Sequence, residues 1–175
     1  MGQYSEMLVQ SGRMSVWMAE QLLKGVTPQI FARKPTIGGK VIDANHAAFN
    51  FGHLALYPAK WLQVLGLDPK AAAAPAAFEA IFSAGKECKD DPDGTIYPAM
   101  TEITDAFFTA HKAALEAVLT VDDKKLLLPN PREGRMREAM PTAGAMLCFV
   151  INSHTMMHLG QVSTWRRCFG LGPVM

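Results

Sequence analysis

Apolar residues recur at steps of three and four in this chain, and this spacing is the feature that most limits its fold. Four long segments carry the pattern, and none alternates apolar and polar residues long enough to predict a half-buried strand. Such spacing places the apolar side chains on one face of a helix, which is buried only by packing against another element. The sequence therefore predicts an all-α protein, for which a four-helix bundle is the most economical architecture.

The first predicted helix covers about residues 4–24 and ends near Gly25, with Pro28 shortly after it. Residues 35–39 are predicted to form a loop because they are rich in Pro and Gly. The side chains of the first helix that are predicted to face the core share a spacing of three or four: Met7, Ser11, Met14, Met18 and Leu22.

The second predicted helix starts near residue 45 and continues to Leu65. Asp43 or Asn45 can act as its N-cap, because both side chains can accept a hydrogen bond from the first turn. Pro58 lacks a backbone N–H group, so we expect it to kink or restart the helix. The long second helix is therefore predicted in two parts.

A long connection separates the second and third predicted helices. Residues 78–82 indicate a short helix packed on the bundle, and residues 85–98 indicate a loop because they are rich in Lys, Asp, Pro and Gly. The third helix is predicted over about residues 101–119 and the last over about residues 142–169. Thr142 stands where the N-cap of the last helix is expected.

The balance of charges argues against nucleic acid as a partner. The chain has 17 Lys and Arg against 16 Asp and Glu, a formal net charge of +1, and no basic stripe that would neutralise a phosphate backbone. Its length of 175 residues fits one core, so we expect residues 1–175 to form a single domain.

No membrane partner is expected either. No stretch approaches the roughly 20 consecutive apolar residues that cross a bilayer. Glu6, Arg13 and Glu20 interrupt the apolar run that a signal peptide would need. The cysteines are widely separated and odd in number, which predicts reduced thiols and a cytoplasmic location. They are Cys88, Cys148 and Cys168.

Two histidines on the last predicted helix are spaced for metal binding. His154 and His158 are four residues apart, so their rings project from the same face one turn apart. His53 occupies the apolar side of the second helix, from which a neutral imidazole can reach across the core to supply a third nitrogen. Three protein ligands leave a position open, as in catalytic zinc sites. Taken alone, the pair is also explained by chance, with each ring an ordinary core or surface histidine.

Other polar residues near these histidines have two interpretations each. His46 lies about 10 Å along the helix axis from His53, too far to bind the same ion easily, so it is a pocket wall or cap, or a plain structural residue. Gln161 can orient a ligand or bound water, or merely satisfy backbone groups. His111 is expected to be a hydrogen-bonded core histidine. The His154-to-His158 segment has no acid beside its first histidine, which disfavours a zinc protease.

Two segments carry a resemblance to a known family. Residues 45–54, Asn-His-Ala-Ala-Phe-Asn-Phe-Gly-His-Leu, and residues 154–161, His-Thr-Met-Met-His-Leu-Gly-Gln, are similar to the two signature segments of the DinB-like (DinB/YfiT) superfamily. The likeness covers nearly the whole chain, and the second segment is its most specific part. It implies a four-helix bundle in an up-down-down-up arrangement, and one divalent metal ion bound by His53, His154 and His158.

The resemblance and the nitrogen ligands together suggest a metal-dependent enzyme. Zinc and nickel are the leading metals, with iron and manganese as alternatives, whereas calcium and magnesium prefer oxygen ligands. A bound ion of this kind lowers the pKa of water or of a thiol, which provides a nucleophile at neutral pH. Characterised members of the superfamily resemble transferases or isomerases that use a low-molecular-weight thiol.

The function predicted from the sequence is therefore a thiol-dependent transferase or hydrolase that acts on a small-molecule substrate. The alternative is a non-enzymatic metal-binding or stress-response protein of the same fold, and a bundle with purely structural histidines also stays open. A homodimer is compatible with the many Phe, Met and Ala residues, but no sequence feature fixes its interface.

Overall fold

Helices make up most of the computed structural model, which describes residues 2–174. They are α1 (Gln3–Leu23), α2 (Pro28–Phe31), α3 (Ala47–Ala55), α4 (Tyr57–Val64), α5 (Ala77–Phe82), α6 (Met100–Leu119), α7 (Asp123–Leu126), α8 (Arg135–Ala139), α9 (Ala143–Cys148) and α10 (Thr155–Cys168). The predicted all-α class is confirmed. The up-down-down-up order of a four-helix bundle stays a prediction.

Four short elements accompany these helices. A 3₁₀ turn covers Lys70–Ala72, and the strands β1 (Thr36–Ile37) and β2 (Lys40–Val41) pair antiparallel within the predicted loop. A π-helical turn, Phe149–His154, joins α9 to α10 without a break, so the three segments form one long final helix. We call this segment the π turn.

The predicted interruption of the second helix is confirmed. Helix α3 ends at Ala55, and Pro58 lies in the first turn of α4, where its missing N–H group costs no helical hydrogen bond. The predicted N-cap is wrong, because neither Asp43 nor Asn45 caps α3. The Nδ1 atom of His46 accepts a hydrogen bond from the backbone N–H of Phe49 instead, at 3.1 Å.

The predicted buried face of α1 is wrong in its first half. Met7 is 70% exposed and Met14 is 58% exposed, and Ser11 is also exposed, whereas Met18 and Leu22 are buried as predicted. Small residues take the core positions because they let α1 approach α6 and the final helix closely, a preference that a search for large apolar residues misses. The buried residues of α1 are Ser5, Leu8, Val9, Gly12, Ser15, Met18, Ala19 and Leu22.

The interior consists of two apolar clusters along the long helices. One includes Phe51, Phe107 and Trp165, and the other includes Trp61 and Leu147. Helix α3 packs on α6 and α10, and α6 also packs on α1 and α4, so the helices that carry the predicted site histidines are in direct contact. Within residues 2–174, no helix has the length and apolar character needed to cross a bilayer.

Two carboxylates order the long loop between α5 and α6, one through the segment that follows α2 and one within the loop itself. Asp90 accepts hydrogen bonds from Nε and Nη2 of Arg33, at 2.9 and 3.1 Å. Asp91 accepts from the backbone N–H groups of Thr95, Ile96 and Tyr97. Burial alone would raise the pKa of Asp91, but these backbone donors hold that pKa below its usual value. The loop is therefore an ordered part of the fold.

Substitutions at two helical glycines test the close packing of α1. A Cβ atom on Gly12 would lie 2.5 Å from Cδ2 of Leu115 and 2.8 Å from Cγ2 of Ile151, whereas a Cβ atom on Gly160 would have no neighbour within 4 Å. We expect Gly12→Ala to lower the free energy of unfolding by about 1–2 kcal/mol, because overpacking outweighs the gain in helix propensity. Gly160→Ala should raise that free energy by up to about 1 kcal/mol.

Urea unfolding of the two variants and the wild type measures both effects. Equal stabilisation by the two alanines would contradict the packing of α1 described here.

Candidate metal centre

Three histidines from two distant parts of the chain meet in the interior. His53 lies on α3, His154 ends the π turn, and His158 lies on α10. One nitrogen of each ring lies within 4.8 Å of the nitrogens of the other two, and all three residues are buried. The three side chains, which we call the histidine cluster, could therefore hold one metal ion. The structure brings together all three residues that the sequence selected as ligands.

Hydrogen bonds fix the rings of two of these histidines. The Nδ1 atom of His53 lies 2.7 Å from the carbonyl oxygen of Phe82, and the Nδ1 atom of His158 lies 2.8 Å from Oδ1 of Asn50. Both partners are acceptors, so each Nδ1 carries the proton and donates it. This assignment leaves Nε2 of each ring with its lone pair, in the arrangement typical of metal-bound histidines.

The third ring has an unused nitrogen. The Nδ1 atom of His154 is buried and has no hydrogen-bond partner within residues 2–174. An unpaired polar atom in the interior costs free energy unless something binds it. A metal ion is one group that would satisfy such a nitrogen, and the neighbouring imidazoles supply the further ligands that an ion needs.

Burial keeps the histidine cluster neutral. Burial, together with the charge that a neighbouring imidazole would carry, lowers the pKa of His158 to about 3 and that of His154 to about 4. Burial also lowers the pKa of His53, against the opposing effect of the hydrogen bond to Phe82. At neutral pH the three rings therefore keep the lone pairs that metal binding requires.

The π turn determines where His154 points. A π-helical turn accommodates more residues than an α-helical turn, so the helix that follows it is rotated relative to the helix before it. The hydroxyl of Thr155 donates to the carbonyl oxygen of Val150, at 3.0 Å, across this turn. Such turns are rare and frequent at functional sites. The sequence predicted a continuous helix here, and its apolar spacing gives no signal for the turn.

Asn50 is a site residue that the sequence analysis missed. It is fully buried, and besides accepting from His158 it donates from Nδ2 to the carbonyl oxygens of Asn45 and His46, at 3.2 Å each. These bonds hold the amide so that its oxygen faces His158. Its position three residues before His53, on the same face of α3, was the available signal, because a buried amide needs partners.

The remaining predicted residues lie around the histidine cluster. His46 caps α3, and its Nε2 atom lies 2.9 Å from the carbonyl oxygen of Lys89. The structure thus supports the capping role among the alternatives for His46. Gln161 is half-buried, and its Oε1 atom accepts from Nδ2 of Asn45 at 3.3 Å. Among the hydrogen bonds of the described residues, Asn50 rather than Gln161 orients a histidine of the cluster.

These observations define an all-α protein with a candidate site for one metal ion between α3 and the final helix. The chain matches the family model of the DinB superfamily over residues 17–162, a range that includes the whole histidine cluster. The chain belongs to the DinB superfamily, which confirms the family predicted from its two signature segments. No curated protein matches the chain significantly.

Removing the side chain of Asn50 tests its positioning role. We expect Asn50→Ala to weaken zinc binding by about 10- to 100-fold, because the ring of His158 loses the acceptor that fixes its tautomer and orientation. Competition with a chromophoric chelator measures the affinity. Gln161→Ala is the matched control and should change the affinity little, since Gln161 is bonded to Asn45 instead. Equal losses in the two variants would contradict the role assigned to Asn50.

His111 provides a test of burial that does not involve the histidine cluster. Its Nδ1 atom donates to the carbonyl oxygen of Phe107 at 2.8 Å, as expected for a core histidine, and its Nε2 atom has no partner within the described residues. Burial lowers the pKa of His111 to about 4, well below its ordinary value near 6.5. The unfolded chain therefore binds a proton at this residue at a higher pH than the folded chain does.

This difference makes stability depend on pH. Between pH 6.5 and 4 the unfolded state binds more protons, so the free energy of unfolding falls as the pH falls through that range. We expect His111→Leu to remove about 2 kcal/mol of the loss that the wild type shows between pH 7 and pH 5. Urea unfolding at both pH values measures the change, and an unaltered pH dependence would show that His111 is not buried in its neutral form.

Proposed function

We propose that this protein is a metal-dependent enzyme that acts on a small molecule, with one divalent ion bound by His53, His154 and His158. The observation that carries the proposal is the buried, neutral histidine cluster, whose ligand nitrogens lie within 4.8 Å of one another. Membership of the DinB superfamily supports the same site. The proposed reaction is transfer to, or hydrolysis of, an electrophilic substrate.

The ligand set favours particular metals and an open coordination position. Three imidazole nitrogens suit zinc or nickel first and iron or manganese next. Within the described residues, the group that could hold an ion consists of histidines alone, without the fourth protein ligand of a closed structural zinc site. A position for water or a thiol is therefore part of the proposal.

Each residue has a defined role in the proposed reaction. A bound ion would lower the pKa of a water molecule or a low-molecular-weight thiol enough to give a nucleophile at neutral pH. His53 and His158 would offer their Nε2 atoms to an ion because Phe82 and Asn50 hold the opposite ring nitrogens. The thiol partner and a cytoplasmic location belong to the same proposal.

A non-enzymatic metal-binding or stress-response protein is the second candidate. It is favoured by one observation: among the described residues, no carboxylate that could act as a general base belongs to the histidine cluster itself. Such a protein would hold the ion without turnover.

Metal analysis of untagged protein tests both candidates. We expect a near-stoichiometric ion in the wild type and none in a variant with His53, His154 and His158 replaced by Ala, measured by elemental mass spectrometry. The His111→Leu variant is the control and should keep its ion, because His111 lies outside the histidine cluster. Protein that binds no ion even after reconstitution would overturn the proposal.

Turnover then separates the two candidates. The reaction of 1-chloro-2,4-dinitrobenzene and related electrophiles with added small thiols should depend on the ion and be lost in His158→Ala. A stoichiometric ion without any metal-dependent reaction of these electrophiles with water or thiols would instead favour the non-enzymatic candidate.

A further inference from the structure

An open groove lies between the first half of α1 and the final helix. Its volume is about 490 Å³, and its lining includes Met7 and Ser11 of α1, Leu127 after α7, and Cys148 and Asn152 of the final helix. None of the described residues that line it carries a charge. We call this space the α1 groove. Its chemistry suits an apolar partner rather than an ion or a charged chain.

Large apolar side chains are exposed around the α1 groove. Tyr4, Met7 and Leu127, which line it, are 54%, 70% and 62% exposed. Met14 is 58% exposed, and its position three residues after Ser11 places it on the same face of α1. Helix α1 therefore has a second apolar stripe besides the one that is buried in the core.

The final helix continues this apolar face on the other side of the groove. Nδ2 of Asn152 lies 3.9 Å from Sγ of Cys148, so the two side chains are on the same side of the helix. Met156 follows Asn152 by about one turn and is 40% exposed. Folded monomers rarely expose contiguous apolar patches larger than a few hundred Å², so a face of this kind is usually covered by a partner.

The exposed area of this face approaches what each partner buries in a stable dimer. A large side chain presents roughly 200 Å² when fully exposed, so the exposed fractions of five side chains on this face correspond to roughly 550 Å². The five are Tyr4, Met7, Met14, Leu127 and Met156. The smaller residues that line the groove add to this area. An interface of standard size buries about 800 Å² on each partner, so the face is large enough for a specific protein partner.

The shape of the face favours a second copy of the same chain. Met7 and Met14 project beside the α1 groove, so a ridge and a groove lie on one surface. A two-fold axis places the ridge of each copy against the groove of the other, which is the self-complementarity that a closed dimer requires. A small ligand in the groove would leave Met14 and Met156 exposed, because neither lines it.

We propose that the protein forms a two-fold symmetric homodimer whose interface is the α1 groove and the apolar side chains around it. Met7 and Met14 of each copy lie against the groove of the other. This arrangement uses no residue of the histidine cluster, so the inference is independent of the proposed function.

Sedimentation velocity of untagged protein over a range of concentrations tests the dimer. We expect the wild type to reach about twice the mass of the 19.1 kDa chain. Met7→Lys should weaken association at least about 100-fold, because each copy would bring an ammonium group without a partner into the interface. Met7 is 70% exposed in the single chain, so circular dichroism should show that the variant still folds.

Trp17→Lys is the matched control on the same helix. Trp17 is 42% exposed, but it borders a different groove whose lining includes the charged residues Arg13, Glu20 and Glu116. This side of α1 lies outside the proposed interface, and a lysine there stays in water. The Trp17→Lys variant should therefore remain a dimer.

The reactivity of Cys148 tests the location of the interface. Cys148 is exposed in the single chain and lines the α1 groove, so the dimer should cover it. Cys168 is partly exposed and does not line the groove, which makes it the internal reference. Alkylation with N-ethylmaleimide, followed by peptide mass spectrometry, should modify Cys148 several-fold more slowly in the wild type than in Met7→Lys. Cys168 should react at the same rate in both proteins.

Three outcomes would overturn the proposal. The first is a wild type that keeps the mass of one chain at every concentration. The second is a dimer that survives Met7→Lys while Cys148 reacts at the same rate in both proteins, because the interface would then lie elsewhere. The third is loss of the dimer in Trp17→Lys but not in Met7→Lys, which would place the interface on the other side of α1. Metal content has no part in these outcomes, so they are separate from the tests of the proposed function.

Discussion

The burial of neutral imidazoles is the constraint on which the rest of the site depends. A histidine removed from water loses its charge, and each of its ring nitrogens then needs a partner. Phe82 and Asn50 satisfy one nitrogen each on His53 and His158. Both partners are acceptors, so Nδ1 of each ring carries the proton. The lone pair of each ring is therefore on Nε2, on the side away from Phe82 or Asn50. The same burial therefore produces both the neutral state and the orientation that a metal ligand needs.

The acceptor for His53 depends in turn on a glycine. Phe82 is the last residue of α5, where the carbonyl groups have no partner within the helix and are free to accept from a side chain. A Cβ atom on Gly52 would lie 2.6 Å from the ring of Phe82. Gly52 thus allows α5 to approach α3 closely enough for the carbonyl oxygen of Phe82 to reach His53. Local backbone chemistry and helix packing act together at this one contact.

The sequence was sufficient for features that depend on spacing along one element. It predicted the long helices and the shared face of His154 and His158 from helix periodicity, and the break at Pro58 from the missing backbone N–H group. It did not predict the short helices α2, α7 and α8. It failed where another element decides the outcome. The packed face of α1 depends on small residues that meet α6, the cap of α3 comes from His46, and Asn50 acquires its role only when α3 lies beside α10.

The three histidines of the cluster are slightly more exposed than the other two histidines of the chain. His46 and His111 are 0% and 2% exposed, and each has a backbone carbonyl as a partner. The three residues of the cluster retain 6% to 8% exposure. A site that exchanges water or a ligand must keep one side accessible, and the remaining exposure of the three histidines is compatible with this requirement. The π turn makes this arrangement possible, because it turns His154 towards the other two rings while the helix continues past them.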